Sequence, residues 1–420
     1  MKRALAIAIP LLLISCIVIL YVFRNEAPTI ETGKRVLRIA LWQDSTNAVD
    51  AEVIDAFKES NPNVDVEIIS LPASDYASSL QALISGQQMV DICFIQNHLQ
   101  LSKLIQKQIL KPLDFLLSQS ALSDACLDGV ETLRSPIDNA LYALPYKSKR
   151  YYLYYNRDLF DFVDMHYPSN DISWDEFIQI GEELSKRFRQ TGMEDVYSIL
   201  LLPNMIELSE IGIFDTKSLI DGNGVIPASF LALTDRLCKS DALFPFFDCY
   251  EKNCCKQTFE TGTIAMFVTD NDFLYTLVQD RRQNKFNFDF GVVKQPCIQN
   301  SDLLTSTIPV AIYRYTQNTD LAWEFISFLC GDKGADILSK NMLIPSYHNE
   351  SVEKSLSKMA VASGISCDLF AVSADSFTFC CPTEVQSLLI ERCYGYIEDY
   401  ILGLNSQVQC LYMLQSESYG

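Results

Sequence analysis

Residues 141–160, LYALPYKSKRYYLYYNRDLF, decide how the rest of the chain is read. A short apolar run closes at Pro145. Proline lacks a backbone donor and pushes Leu144 towards an extended conformation, so a strand is expected to stop there. A second run, 151–155, carries the aromatic residues that suit a pleated sheet. Asn156-Arg157-Asp158 reads as a turn or helix start. Two strands thus meet at a Pro145-Tyr146 corner with aromatics and cations on both sides, which suits a crossing between two domains. An ordinary strand–loop–strand with a tyrosine-rich core face fits the local chemistry equally well.

The N-terminal flank has a regular rhythm. Residues 36–42, VLRIALW, alternate and then run apolar, as a buried strand does. Val49, Val53, Ile54 and Phe57 stand at helical spacing, and Asn61-Pro62-Asn63 breaks that helix. Residues 64–71 form a strand of period two. Asp75 is a candidate N-cap for a helix stopped by Ser85-Gly86. Residues 91–95 make a third strand and 99–106 a third helix. This succession defines an α/β layer with a mostly parallel sheet, whose ligands bind beyond the carboxyl ends of the strands. Those ends are the loops 43–47 and 96–98. After the corner, Ser173-Trp174-Asp175-Glu176 reads as a capping box. Strands are expected at 264–268 and 308–313, with an alternating stretch at 286–293 and helices at 320–329 and 384–402.

The 420 residues suffice for two or three domain-sized units, and 49% hydrophobic with 20% charged residues excludes global disorder. The formal charge of −20 argues against nucleic-acid binding, which needs a Lys/Arg excess on some face. Residues 4–23 are an apolar run behind Lys2 and Arg3, the pattern of an export signal, just long enough to span a bilayer. Leu13-Ile14-Ser15-Cys16 resembles a lipobox, with Cys16 as the lipidation site. An uncleaved anchor and a lipoprotein both fit, and both put Glu26 onward on the outer face of the cytoplasmic membrane. Of fourteen cysteines, thirteen follow Cys16. They form no CxxC, so neither a metal nor a cofactor is expected, and most read as small buried hydrophobes. No nucleophile motif of the GxSxG, HExxH or P-loop kind is present, so an enzyme is not expected.

Further motifs follow one another in a specific order. They include Leu110-Lys111-Pro112-Leu113, Tyr142-Ala143-Leu144-Pro145, Tyr154-Tyr155-Asn156, Phe259-Glu260-Thr261-Gly262 with Ala265-Met266, Phe290-Gly291-Val292-Val293, Ala322-Trp323-Glu324-Phe325 and Leu343-Ile344-Pro345. With the N-terminal strands they resemble, over roughly 36–402, the extracellular solute-binding proteins of bacterial ABC importers. The branch resembled is the sugar-type one that contains maltose-binding protein. The resemblance implies a two-lobe periplasmic-binding-protein-like α/β fold of type II, with discontinuous lobes joined by hinge strands. Residues 1–24 are then the signal or anchor and 25–35 a linker. Residues 36–146 with 290–335 form one lobe, and 147–289 with 336–420 the other.

The implied function is capture of a small solute, a sugar or short oligosaccharide, by closure of the lobes, and delivery to permease transmembrane subunits by a monomer tethered to the membrane. An anchored ligand sensor and a binder of a cationic solute are the alternatives. Sugars need carboxylates, amides and aromatic faces together. The loop after the first strand offers Trp42, Gln43 and Asp44; the loop after the third offers Gln96 and Asn97; the corner offers Tyr146 and Lys147. Asp270, Asn271 and Phe273 stand where relatives often carry a Gly-x-x-Trp. Thr305, Ser306, Tyr347 and Phe379 complete the candidates. Asp270, Asn271 and Asp272 together suit a cation as well as a hydroxyl.

Overall fold

The computed structural model describes residues 34–42, 48–72, 76–86, 89–201, 205–211, 234–237, 240, 242–245, 255–297, 305–371 and 380–417. Cys16, Gln43, Asp44 and Phe379 lie outside the described residues, as does the loop 43–47.

The first sheet grows by parallel pairing. Strand β1 (Arg35–Trp42) lies between β2 (Val64–Leu71) and β3 (Ile92–Phe94), both parallel to it. Helices α1 (Ala48–Ser60) and α2 (Tyr76–Ser85) are the crossovers; α3 (His98–Gln106) and α4 (Asp114–Ser118) follow β3. The Tyr76 hydroxyl donates to the carbonyls of Ala40 at 3.1 Å and Phe94 at 2.6 Å, which pins the start of α2 across two strands.

Strand β4 (Leu144–Asn156) is one continuous strand of 13 residues that serves two sheets. Its second half runs between β6 (Ile264–Asp270) and β7 (Phe290–Lys294), and its first half pairs with β8 (Thr305–Ile312), all antiparallel. Strand β5 (Tyr197–Leu201) lies parallel to β6. The order is β2-β1-β3-β8-β4-β6-β5, with β7 also on β4.

Two expectations are corrected here. Pro145 does not end the strand. It occupies the second position of β4, opposite Pro309, where a register shift separates it from Lys147. A missing donor is tolerated at a strand start and at an irregularity. The return crossing also comes later than 290, because β7 still pairs with 152–156 in the second sheet. The chain rejoins the first sheet only at β8.

The remaining helices are α5 (Arg157–Phe162), α6 (Trp174–Gln190), α7 (Met205–Glu210), α8 (Cys255–Glu260), α9 (Asp272–Arg282), α10 (Thr319–Leu329), α11 (Asp332–Lys340), α12 (Glu350–Ala362), α13 (Glu384–Ile401) and α14 (Gln407–Glu417). The capping box of α6 forms as expected, Ser173 accepting from the Glu176 amide and Glu176 from that of Ser173. None of the helices among the described residues is long and apolar enough to cross a membrane.

The cores follow the division of β4. One cluster gathers Leu37, Ile39, Phe57, Ile92, Val310 and Phe325 and ends on β4 at Tyr146. Beyond it, alternation sends Tyr151, Leu153 and Tyr155 into a second cluster with Phe177 and Met266. Tyr152 and Tyr154 enter a third with Phe259, Phe273 and Phe288. The second half of β4 is therefore buried on both faces, which is why it reads as an unbroken aromatic run. Six of the ten cysteines among the described residues are buried, as small hydrophobes are.

Candidate binding cleft at the lobe crossing

Strand polarity gathers the site. Residues that follow β1, β3, β5 and β6 meet around the middle of β4, where the two sheets join. Asp50 comes from the first turn of α1, His98 from the start of α3, Glu207 and Glu210 from α7, and Asp270 with Asp272 from the junction of β6 and α9. This is the crevice beyond strand carboxyl ends that open α/β sheets use for ligands.

Lys147 is the link between the lobes. Its Nζ lies 3.2 Å from Asp50 of the first lobe and 3.0 Å from Asp272 of the second, and the side chain is 3% exposed. The Tyr146 hydroxyl donates to the other Asp50 oxygen at 2.8 Å. Burial favours the neutral amine, but Asp272 and Asp50 outweigh it and hold the ammonium well above its ordinary pKa. Two residues on, and so on the same face of the strand, Lys149 donates to Glu210 at 2.9 Å and lies 3.8 Å from Glu207. The Tyr151 hydroxyl donates to Glu210 at 2.7 Å. Lys256 pairs with Asp270 at 2.9 Å.

The carboxyls divide by environment. Burial alone would raise Asp270, but Lys256 and Lys149 outweigh it and hold the group below its usual value. Asp272 is raised, by burial first and then by the negative charges of Asp270 and Asp50 acting against Lys147. Glu207 is raised by burial, with Asp270 and Glu210 adding to it against Lys149. His98, buried beside Thr132, is pushed down to about 4 by desolvation, against the pull of Glu210.

The expected residues fall into groups. Tyr146, Lys147 and Asp270 lie in the cluster just described. Asn271 is a clamp: its Oδ1 accepts from the Arg150 amide and its own amide donates to the Arg150 carbonyl, both at 2.9 Å. Phe273 is fully buried, with Tyr154, Phe259 and Phe267 packed edge-on to it, so it presents no free face for stacking in this conformation. Trp42 is half-buried at the end of β1, edge-on to Tyr76 at 5.5 Å. Asn97 is the N-cap of α3, and the Gln96 amide is held by Gln100 Oε1 at 2.7 Å. Thr305 and Ser306 are buried on β8 opposite Arg150 and Lys149. Tyr347 is half-buried and bridges Leu127, beside the crossing rather than in the cluster.

Asp50, Lys149, Glu207, Glu210, Lys256 and Gln100 are absent from the sequence-derived candidates. Except for Lys256, which lies on α8 ahead of β6, their sequence signal is position, past a strand end or two residues along β4 from Lys147. Among the described residues, no three His, Cys, Asp or Glu side chains converge to hold a metal ion.

Two sheets joined by a strand they share, with charged groups from both halves meeting at the junction, define a two-lobe binding protein. The family model for bacterial extracellular solute-binding proteins matches residues 52–355, and the chain belongs to that family. A Listeria monocytogenes ABC substrate-binding protein solved with cycloalternan superposes with a TM-score of 0.74 at 16% identity, covering 92% of this chain and 97% of that one. A Rhizobium etli sugar transporter component in an open conformation gives 0.66 at 21% identity, covering 92% and 99%. An Agrobacterium vitis solute-binding protein with bound D-mannitol gives 0.68 at 17%, covering 92% and 97%. A Brucella abortus binding protein is 23% identical over 319 residues, 72% of this chain and 73% of that protein.

Proposed function

We propose that the protein is the substrate-binding component of an ABC importer, which captures a sugar or short oligosaccharide between its lobes and hands it to the membrane permease. The observation that carries this reading is the junction at Lys147, where groups from both lobes converge on the strand the lobes share. Such a junction lets ligand contacts bias an open–closed equilibrium without any bond being made or broken. The family and the sugar, cycloalternan and mannitol relatives named above support it. In this reading Trp42, Gln43, Asp44 and Gln96 contribute from the first lobe, and Tyr146, Lys147, Asp270 and Ser306 from the crossing and the second. Residues 1–24 hold a monomer at the outer membrane face, through the apolar run or through Cys16.

A thermal-shift screen of the protein starting near Thr32, against mono- and oligosaccharides and polyols, tests this. A true ligand at about a hundred times its Kd adds roughly 2.7 kcal/mol, an easily read shift in Tm. Stabilisation by a sugar or polyol is expected. Stabilisation only by amino acids or peptides would sink the sugar assignment while leaving the binding fold in place.

A further inference from the structure

Helix α13 touches both lobes. Ile390, Cys393, Tyr394 and Ile397 stand three and four residues apart on one face and are buried in the second cluster with Phe177 and Met266. The Tyr394 hydroxyl donates to Ser209 Oγ on α7 at 2.8 Å. The adjoining face carries Ser387 and Glu391, four residues apart, and meets α3 of the first lobe. Ser387 Oγ donates to Ser102 Oγ at 3.2 Å, and Glu391 forms an ion pair with Lys103. Just ahead of the helix, the Pro382 carbonyl accepts from Ser102 Oγ at 2.7 Å, and the Cys381 amide donates to the Thr132 carbonyl at 2.9 Å. Cys381 is itself buried in the first cluster.

The two attachments differ in kind. Stripping four buried side chains from the second cluster exposes apolar surface and is expensive. The attachment to the first lobe is mostly polar: hydrogen bonds that water can replace at small net cost, and an ion pair whose side chains are 44% and 38% exposed. Position matters as well. Helices α3 and α7 start beyond the carboxyl ends of β3 and β5, on the side of the crevice. Ser209 adjoins Glu210, which pairs with Lys149 at the crossing. Parting the lobes at the crevice therefore draws α3 away from α7, and one end of α13 has to yield.

We propose that α13 is a strap across the cleft, rooted in the second lobe and fastened to α3 of the first by contacts that release as the lobes part. The strap restrains opening and so biases the ligand-free protein towards the closed form. It needs only the two lobes and no particular solute, and so goes beyond the importer reading above.

Hydrogen exchange and small-angle scattering of the ligand-free protein test it. Ser387→Leu overfills the contact with Ser102 and leaves the buried face of α13 unchanged. Backbone amides of 98–106 should then exchange about tenfold faster, the factor that overpacking a filled contact commonly costs. Those of 390–401 and 205–210 should keep their protection, and the radius of gyration should rise. Glu391→Lys and Lys103→Glu should each move both readouts the same way by less, and the double swap should restore the parent. Equal loss of protection in 390–401 would make α13 part of one continuous core and overturn the strap. An unchanged or smaller radius in Ser387→Leu with native circular dichroism would overturn it too. If Ser387→Leu does not fold, the charge pair decides: single reversals that exchange like the parent over 98–106 overturn the strap. Neither readout uses a ligand, so a failed strap leaves the importer reading standing.

Discussion

His98 shows how burial at one residue becomes a property of the whole fold. Its ring is buried at the start of α3, with Thr132 Oγ1 3.5 Å from Nε2 and Glu210 acting on it electrostatically from the second lobe. Desolvation takes its pKa from 6.5 to about 4. The unfolded chain therefore binds a proton in that interval and the folded chain does not, so stability rises with pH from about 4 to 6.5 and is lost on acidification. The single group accounts for a swing on the order of 3 kcal/mol. In His98→Gln, urea titrations between pH 4 and 7 should show a flatter dependence; an unchanged slope would mean that other groups set it. Glu207 carries the opposite sign. Its folded pKa is raised, so its ionisation costs stability as pH rises through that value. Glu207→Gln should therefore leave the Tm of the ligand-free protein at pH 8 equal to or above that of the parent. A lower Tm would assign Glu207 a structural pairing instead.

At the scale of elements, the register between β4 and β7 depends on a missing side chain. A Cβ on Gly291 would overlap the ring of Tyr155, its partner across the ladder. Gly291→Ala should cost about 1–3 kcal/mol, as overpacking in a filled core does, and Tyr155→Val in the same chain should recover part of it. Equilibrium unfolding of the four proteins in this cycle measures the coupling; additive losses would show that the ring is not what excludes the methyl group. This pairing also marks the limit of what the sequence discloses. The first three strands and their helices were legible because each is a local period bounded by Gly, Pro or Asn, and the α6 capping box was legible because Ser173 and Glu176 are three residues apart. The fate of Pro145 was not, because whether a proline breaks a strand depends on its neighbour across the ladder, here Pro309, which lies 164 residues away. The carboxylates were missed for the same reason. Asp50, Glu207 and Glu210 each sit on a helix as an ordinary polar residue, and only the fold brings them to Lys147 and Lys149.

For the molecule as a whole, the ammonium of Lys147 offsets a repulsion between the lobes. Asp50 belongs to the lobe built on β1, and Asp272 to the helix that leaves β6 in the other; both reach the same nitrogen. Without it, two carboxylates from opposite lobes face each other in a partly dry crevice, where like charges repel far more strongly than in water. Opening the cleft is the cheapest relief, because it returns both groups to solvent and needs only hinge motion at β4 and β8. Lys147→Met keeps the length and packing of the side chain and removes the charge. Small-angle scattering of the ligand-free variant at pH 8 should give a larger radius of gyration than the parent. The difference should shrink when Asp272→Asn is added, because that substitution removes one of the two facing charges. Ligand affinity should fall in proportion to the closed fraction, since only that fraction binds with both lobes. An unchanged radius at pH 8, with native circular dichroism, would mean that packing at the crossing sets the angle between the lobes and that the shared lysine serves only to neutralise buried charge.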